Sequence, residues 1–276
     1  MIKDKFSAVW LSHSSIGDYL KCPRSYYLRN IYRNPKTNHK INIIKPALAL
    51  GQAVHEVIES LSVLAVDSRL KEPLLQRFDK VWGKVSGKKG GFKTKNEEEE
   101  YKQRGIAMIK NVADNPGPLL SKAVKISKND LPYFWLSEED NLILCGKIDW
   151  LEYFEKSDSI HIIDFKTGRG TEDSNSLQLP IYYLLATNCQ KRKVSKVSYW
   201  YIGRDKHLTA VNLPDIGQAK KNLLEIGKKI ALARKLDHME CKHKSGCMHC
   251  LPFEQVLKGN AEFVGVGGYN QDLYII

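Results

Sequence analysis

Two short runs of this 276-residue chain set charged side chains in strongly apolar surroundings: Leu144-Cys-Gly-Lys-Ile-Asp149-Trp and Ile162-Ile-Asp164-Phe-Lys166-Thr-Gly. Both read as strand ends. On a strand, residues two apart share a face, so Asp164 and Lys166 point one way while Ile163 and Phe165 point the other. If Asp149 comes from the neighbouring strand, two carboxylates converge. That is unfavourable unless a cation neutralises them, and it is the hard-oxygen environment that Mg²⁺ prefers. Metal-assisted phosphodiester hydrolysis uses such parts: the metal polarises the phosphate and lowers the pKa of its water, and a lysine positions the nucleophile or stabilises developing charge. Alone, a D-x-K reads as a structural Asp–Lys ion pair at a strand end.

Other residues of suitable type accompany it. His55, in Gly51-Gln-Ala-Val-His, sits one position off a helical apolar stripe, where a neutral imidazole can serve a metal. Gln178 and Tyr182 are an i, i+4 pair at the head of the helix after the D-x-K strand, so their side chains face the same way. Cys241, Cys247 and Cys250 form a C-x₅-C-x₂-C cluster, and three thiols within ten residues suggest metal. Zinc is one candidate, with His243 or His249 completing a tetrahedral site, and free thiols are another reading. Cys145 and Cys189, in apolar segments, read as buried small hydrophobes.

The elements that must position these residues follow from periodicity and punctuation. Ser12 caps a helix whose face (Ile16, Tyr19, Leu20, Tyr27, Leu28) reaches about residue 32, where Asn34-Pro breaks it. A second helix spans 50–64 with the stripe Val54, Val57, Ile58, Leu61 and Leu64. Others span 73–85 and 97–111, separated by a glycine- and lysine-rich loop. After Asn115-Pro-Gly-Pro, strands are expected at 123–126, 142–153 and 159–166. A helix at 177–187, a strand at 196–202 and a long basic helix at 216–236 follow. No internal repeat is present. This order predicts an α/β (α+β) fold with a mixed sheet, in one domain over 1–276: a helical part at 10–115, the sheet with its flanking helices at 116–236, and the cysteine cluster with a tail at 237–276.

With 42% hydrophobic residues the chain can bury an ordinary core, which excludes a disordered tail or a fibre. No stretch approaches the roughly 18 apolar residues of a membrane span, and the first six residues lack a signal-peptide core. The expected compartment is the cytoplasm, with no membrane partner, where cysteines are metal ligands more often than disulfides. Lys and Arg number 43 against 31 Asp and Glu, a net charge of +12 that favours polyanions, above all nucleic acid. From Tyr19 to His55 there is no acid, while Lys21, Arg24, Arg29, Arg33, Lys36, Lys40 and Lys45 alternate with Tyr19, Tyr26, Tyr27 and Tyr32. Cations among aromatics make this tract a candidate single-strand contact surface, or an amphipathic helix with inward tyrosines.

The ordered set G-x-x-x-H (Gly51 to His55), G-x-x-D (Gly146 to Asp149), D-x-K-T-G (Asp164 to Gly168) and Q-x-x-x-Y (Gln178 to Tyr182) resembles the RecB-like branch of the PD-(D/E)XK nuclease superfamily. The opening Leu11-Ser-His-Ser-Ser-Ile-Gly-Asp-Tyr-Leu-Lys-Cys22-Pro is similar to the nuclease start of AddB-type helicase-nuclease subunits and CRISPR-associated exonucleases. The resemblance spans about residues 10 to 255. It implies a restriction-endonuclease-like core and a Mg²⁺- or Mn²⁺-dependent DNA nuclease, an exonuclease on single strands or ends, in repair, recombination or defence. By the same resemblance His55, Asp149, Asp164 and the Phe165 carbonyl are metal ligands and Lys166 is the catalytic lysine. Gln178 and Tyr182 shape the site.

The resemblance further implies a [4Fe–4S] cluster on Cys22, Cys241, Cys247 and Cys250. Relatives place the last cysteine after the C-x₂-C pair, whereas six residues beyond Cys250 stands Val256, so Cys241 substitutes from upstream. The chain carries no G-x-x-x-x-G-K-[ST], so it reads as a stand-alone nuclease module, and the resemblance adds a helicase or repair-complex partner as an expectation. The competing reading is a catalytically silent nucleic-acid-binding or adaptor module, and a third is a metal-stapled domain whose basic face meets an acidic protein.

Overall fold

The computed structural model describes residues 4–126 and 131–276. In chain order the elements are β1 (Val9–Leu11), α1 (His13–Lys21), α2 (Pro23–Tyr26), β2 (Lys40–Ile43), α3 (Pro46–Ser60), α4 (Leu74–Val85), α5 (Lys95–Asp114), β3 (Tyr133–Ser137), β4 (Leu142–Cys145), β5 (Trp150–Phe154), β6 (Ser159–Lys166), α6 (Gln178–Cys189), β7 (Lys193–Tyr201), β8 (Thr209–Val211), α7 (Ile216–Lys235), α8 (Leu251–Leu257), β9 (Glu262–Gly267) and β10 (Gln271–Ile275). The class is mixed α/β, as expected. Among the described residues no helix is long and apolar enough to cross a membrane. Two compact units divide the chain: one takes the chain up to Lys45, Trp135–Leu144 and Lys221–Ile276, the other Pro46–Phe134 and Cys145–Lys220.

The second unit is built on the sheet β5-β6-β7-β8. β5 and β6 are antiparallel, β6 and β7 parallel, β7 and β8 antiparallel. The β6–α6–β7 segment is therefore a crossover, which needs a helix because parallel neighbours cannot be joined by a tight turn. β6 is buried on both faces along its whole length except Lys166, which explains its nearly unbroken apolar run. One face, with Ile163 and Phe165, joins Trp150, Trp200 and the helices α3, α4 and α5 in a single core. The stripe expected on the second helix is there: Val54, Val57, Ile58 and Leu61 are all fully buried. α5 closes on α4 at Gly105, where an added Cβ would stand 2.3 Å from Phe78 Cζ, itself fully buried in the core. Gly105→Val is expected to destabilise by about 2 to 3 kcal/mol through overpacking, measured by denaturant titration; an unchanged midpoint would contradict this packing.

Several expected boundaries move. The strand expected at 142–153 is two strands in different sheets, β4 and β5, interrupted by Gly146-Lys-Ile-Asp149. α6 passes so close that a Cβ on residue 146 would lie 3.0 Å from Leu185 Cδ1, and the Gly146 N–H is turned to the Pro132 carbonyl at 3.1 Å. The strand expected at 123–126 reduces to one bridge, Ala123 opposite Glu152. Cys145 is buried as expected, but Cys189 is only half-buried and gives its thiol to the Tyr133 carbonyl at 3.4 Å.

In the first unit, Ser12 caps α1 reciprocally: its Oγ accepts from the Ser15 N–H at 3.1 Å, and Ser15 Oγ accepts from the Ser12 N–H at 2.9 Å. The helix ends at Lys21 rather than near 32. Cys22 precedes a proline, whose ring forces it into extended backbone (φ −165°, ψ 115°). The chain then restarts as α2 and one π-helical turn, Tyr27–Ile31. This divides the basic tract. Tyr26 and Leu28 are buried, Arg24 Nε donates to Glu254 at 2.6 Å, and Arg29 donates to Asp18 at 2.7 Å. The tract is thus no uniform contact surface. The tail after Gly259 supplies β9 and β10, and β10 pairs in parallel with β2.

Candidate active site

Asp149 is the last residue before β5, and Trp150 pairs with Ile163, so Asp149 comes opposite Asp164 at the end of the β5–β6 ladder. The Phe165 N–H donates to Asp149 Oδ2 at 2.8 Å and fixes that carboxylate. α3 brings His55 to the same point: its Nδ1 lies 3.6 Å from Asp149 Oδ2 and 3.2 Å from Glu59 Oε1. The approach of α3 depends on Gly51, where a Cβ would meet Thr167 Oγ1 at 3.2 Å. The glycine of one motif and the threonine of another are thus in contact. Phe165 itself is buried among the rings of His55, Trp150 and Trp200.

Lys166 and Asp164 share a face, as the strand geometry requires. Lys166 Nζ lies 2.9 Å from Asp164 Oδ2 and 2.8 Å from Glu172 Oε2, and it donates to Gln178 Oε1. Gln178 Nε2 in turn donates to Asp164 Oδ1 at 2.6 Å and to the Tyr182 hydroxyl at 3.2 Å. One amide therefore holds the lysine, the buried carboxylate and the tyrosine in register. The structure brings together His55, Asp149, Asp164, Lys166, Gln178 and Tyr182, all expected from sequence.

Two acids in this group were not anticipated. Glu59 stands one helical turn after His55 and also pairs with Lys147. Its i, i+4 spacing from a candidate ligand was a readable signal. Glu172 comes from the irregular segment after β6, and nothing in its spacing marks it.

The electrostatics show strain among the charges. Burial, then the neighbouring Asp149 charge, push the Asp164 carboxyl up to about 7 against the pull of Lys166 and His55. Burial opposes charging of His55, yet the Asp149 and Glu59 carboxylates outweigh it and raise the imidazole to about 10. Burial likewise opposes the Lys166 ammonium, but Asp164 and Glu172 raise it above its ordinary value. Asp164 Oδ2 is buried and, although within ionic contact of Lys166, receives no hydrogen bond of acceptable geometry. Donor atoms of His55, Glu59 and Asp149 lie within 4.8 Å of one another. An imidazole, adjacent carboxylates and an orphaned buried oxygen suit a divalent cation of the Mg²⁺ or Mn²⁺ kind.

The first unit holds a separate group. The Sγ atoms of Cys22, Cys241, Cys247 and Cys250 lie within 4.8 Å of one another, with Cys247 and Cys250 at 3.8 Å. Neither His243 nor His249 belongs to this group of four. Burial, reinforced by Cys247 and Cys241, pushes the Cys22 thiol up to about 12. Burial raises Cys247 too, but the His249 and Cys250 backbone N–H groups and its neighbouring thiols bring it down to about 7. The Cys247 N–H also donates to Cys250 Sγ at 3.2 Å. Four converging sulfurs with backbone donors aimed at them suit a thiolate-bound metal or cluster.

In comparison with known proteins, the family model described as the PD-(D/E)XK nuclease superfamily matches residues 10–254. Among curated proteins none matches the chain.

Proposed function

The chain belongs to the PD-(D/E)XK nuclease superfamily, and on that premise we propose that it is a deoxyribonuclease of the RecB-like branch, acting as an exonuclease on single strands or ends. The family is one of metal-dependent phosphodiester hydrolases acting on nucleic acid, with a restriction-endonuclease-like fold. The observation that carries the finer reading is the convergence of Asp149, Asp164 and Lys166 at one end of the β5–β6 pair, with His55 against Asp149.

In this reading His55, Asp149, Asp164 and the Phe165 carbonyl hold Mg²⁺ or Mn²⁺, and Glu59 is placed to assist them. The bound ion supplies Lewis acidity and a water acidified for attack. Lys166, kept protonated by Asp164 and Glu172, places positive charge where the phosphate becomes more anionic. Gln178 holds Lys166 and Asp164 at a fixed separation, and Tyr182 holds Gln178. Gln178→Ala is expected to slow cleavage roughly ten- to a hundredfold, as loss of an orienting neighbour does, with DNA affinity unchanged. Steady-state kinetics beside a binding titration checks this, and a pure affinity loss would count against a positioning role.

The four cysteines hold a [4Fe–4S] cluster in this proposal, with Zn²⁺ as the alternative occupant. The whole chain forms a single nuclease domain that works in repair, recombination or defence, beside a helicase or repair-complex partner. The deciding experiment is cleavage of end-labelled single- and double-stranded DNA with Mg²⁺ or Mn²⁺ by anaerobically purified protein. A product ladder from the wild type establishes the activity and its polarity. Binding without cleavage under every divalent metal tried would favour the silent binding module instead.

A further inference from the structure

β2 and β10 run parallel, with Lys40 opposite Gln271, so the segments leading into them emerge at the same end of the sheet β2-β10-β9. Those segments are the turn from Asn34 to His39 and the β9–β10 hairpin loop. The Lys40 N–H donates to the Asn270 carbonyl at 3.3 Å and ties the two together. Asp272, which is 1% exposed, braces the turn by accepting from Asn34 Nδ2 and Thr37 Oγ1, each at 2.7 Å, and by meeting His39 Nδ1 at 2.8 Å. This end of the sheet is therefore built, not loose.

Two features of this end face outward. First, Arg33 precedes the turn, which the Asn34 N–H closes on the His39 carbonyl at 2.8 Å, and Lys40 follows it, so both cations lie at this end. Burial, then the charges of Arg33 and Arg234, hold the Lys40 ammonium below its ordinary value. Among the described residues no carboxylate pairs with Arg33 or Lys40, whereas Arg24 and Arg29 nearby in sequence each have one, and Arg234 is engaged by the Tyr26 hydroxyl. Second, Tyr269 at the hairpin tip is 99% exposed and has φ 57°, followed by Asn270 at φ 52°. A bulky side chain in the left-handed region is strained, and glycine or asparagine would stand there more easily. The tight turn that closes the β9–β10 hairpin takes this left-handed backbone, but the ring at its tip packs on nothing and is left available to a ligand.

Unneutralised cations beside a free aromatic face match one chemistry: a phosphate backbone with an accessible base. An acidic polypeptide would use the cations and leave the ring idle. A duplex presents phosphates but keeps its base faces stacked inside. We propose that this end of the C-terminal sheet binds single-stranded DNA, with phosphates at Arg33 and Lys40 and a base stacked on Tyr269. That the strand is DNA rests on the nuclease reading; the site itself does not.

The test uses the full chain carrying Lys166→Ala, so that the probe survives, and follows the fluorescence anisotropy of labelled oligothymidylate over a salt series. Tyr269→Gly removes the ring and relieves the backbone, so the melting temperature should hold or rise. Its affinity should nevertheless fall about tenfold, as loss of one stacked base does. Arg33→Gln with Lys40→Gln should flatten the slope of log affinity against log salt by about 1.4, the value for two lost phosphate contacts on a single strand. Unchanged affinity in Tyr269→Gly, or an equal loss on a blunt duplex of matched length, overturns the proposal. Cleavage by the chain with native Lys166, without any Tyr269 effect on binding, removes this site and leaves the nuclease. Tyr269-dependent binding without cleavage does the reverse.

Discussion

Lys166→Ala is expected to lower phosphodiester cleavage by at least two to three orders of magnitude while leaving DNA affinity close to that of the wild type. The size follows from the loss of one preorganised charge in a site largely closed to water. The selectivity follows from geometry. Lys166 has only 18% of its side chain exposed and is held by Asp164, Glu172 and Gln178, so it adds little to a diffuse phosphate-binding surface. Lys166→Arg should also be impaired, because a planar guanidinium cannot replace a compact ammonium against these three partners. The measurement is single-turnover cleavage of end-labelled DNA with Mg²⁺ and with Mn²⁺, beside anisotropy titrations of the same variants. Wild-type cleavage by Lys166→Ala would falsify the assignment. Loss of binding together with cleavage would move the lysine from chemistry to substrate capture.

The second large effect is expected at the other group of ligands. Cys22→Ser should lose the bound metal or cluster and lower the melting temperature by roughly 10 °C, corresponding to about 4 kcal/mol of lost ligation. Cys22 is the sole donor from the N-terminal part of the chain, and it meets three that lie more than 200 residues later. A serine hydroxyl is a harder, far less acidic ligand, and the three remaining thiolates cannot close a four-coordinate site. Elemental analysis together with visible absorption separates the occupants: iron with charge-transfer bands for the cluster, zinc with none. Cys189→Ser, outside the group, serves as the control and should retain full metal content. Equal metal in wild type and Cys22→Ser would take Cys22 out of the ligand set.

Much of the catalytic end was legible before any coordinates. The nearly unbroken apolar run of β6, with only Asp164 and Lys166 charged near its end, could scarcely be anything but a buried strand presenting two charges on one face. The stripe of α3 declared both the helix and the side on which His55 lies. The cysteines too were legible as a set, despite Cys241 lying upstream of the C-x₂-C pair. What escaped depended on tertiary context. The run 142–153 keeps its apolar character across Gly146 to Asp149, and only the crowding by α6 requires a break there. β9 holds two glycines and is largely exposed, β10 is short and mostly half-buried, so neither alternates clearly, and the pairing of β10 with β2 is remote in sequence. Glu172 belongs to no periodic element, and only folding delivers it to Lys166.

The pairing of β2 with β10 also constrains how the chain can be made. Synthesis is vectorial, and at roughly 5 to 20 residues per second about 10 to 50 seconds pass between emergence of β2 and of its partner strand. Meanwhile Ile41, Ile43 and Ile44 leave the ribosome as an apolar segment with an open edge, ready to pair with another nascent chain. Lys40 and Lys45 bracket that segment and Pro46 follows it at once, which is the arrangement of charge and proline that blocks edge-to-edge association. These two lysines thus act as gatekeepers for a strand that must wait for a partner made more than 200 residues later.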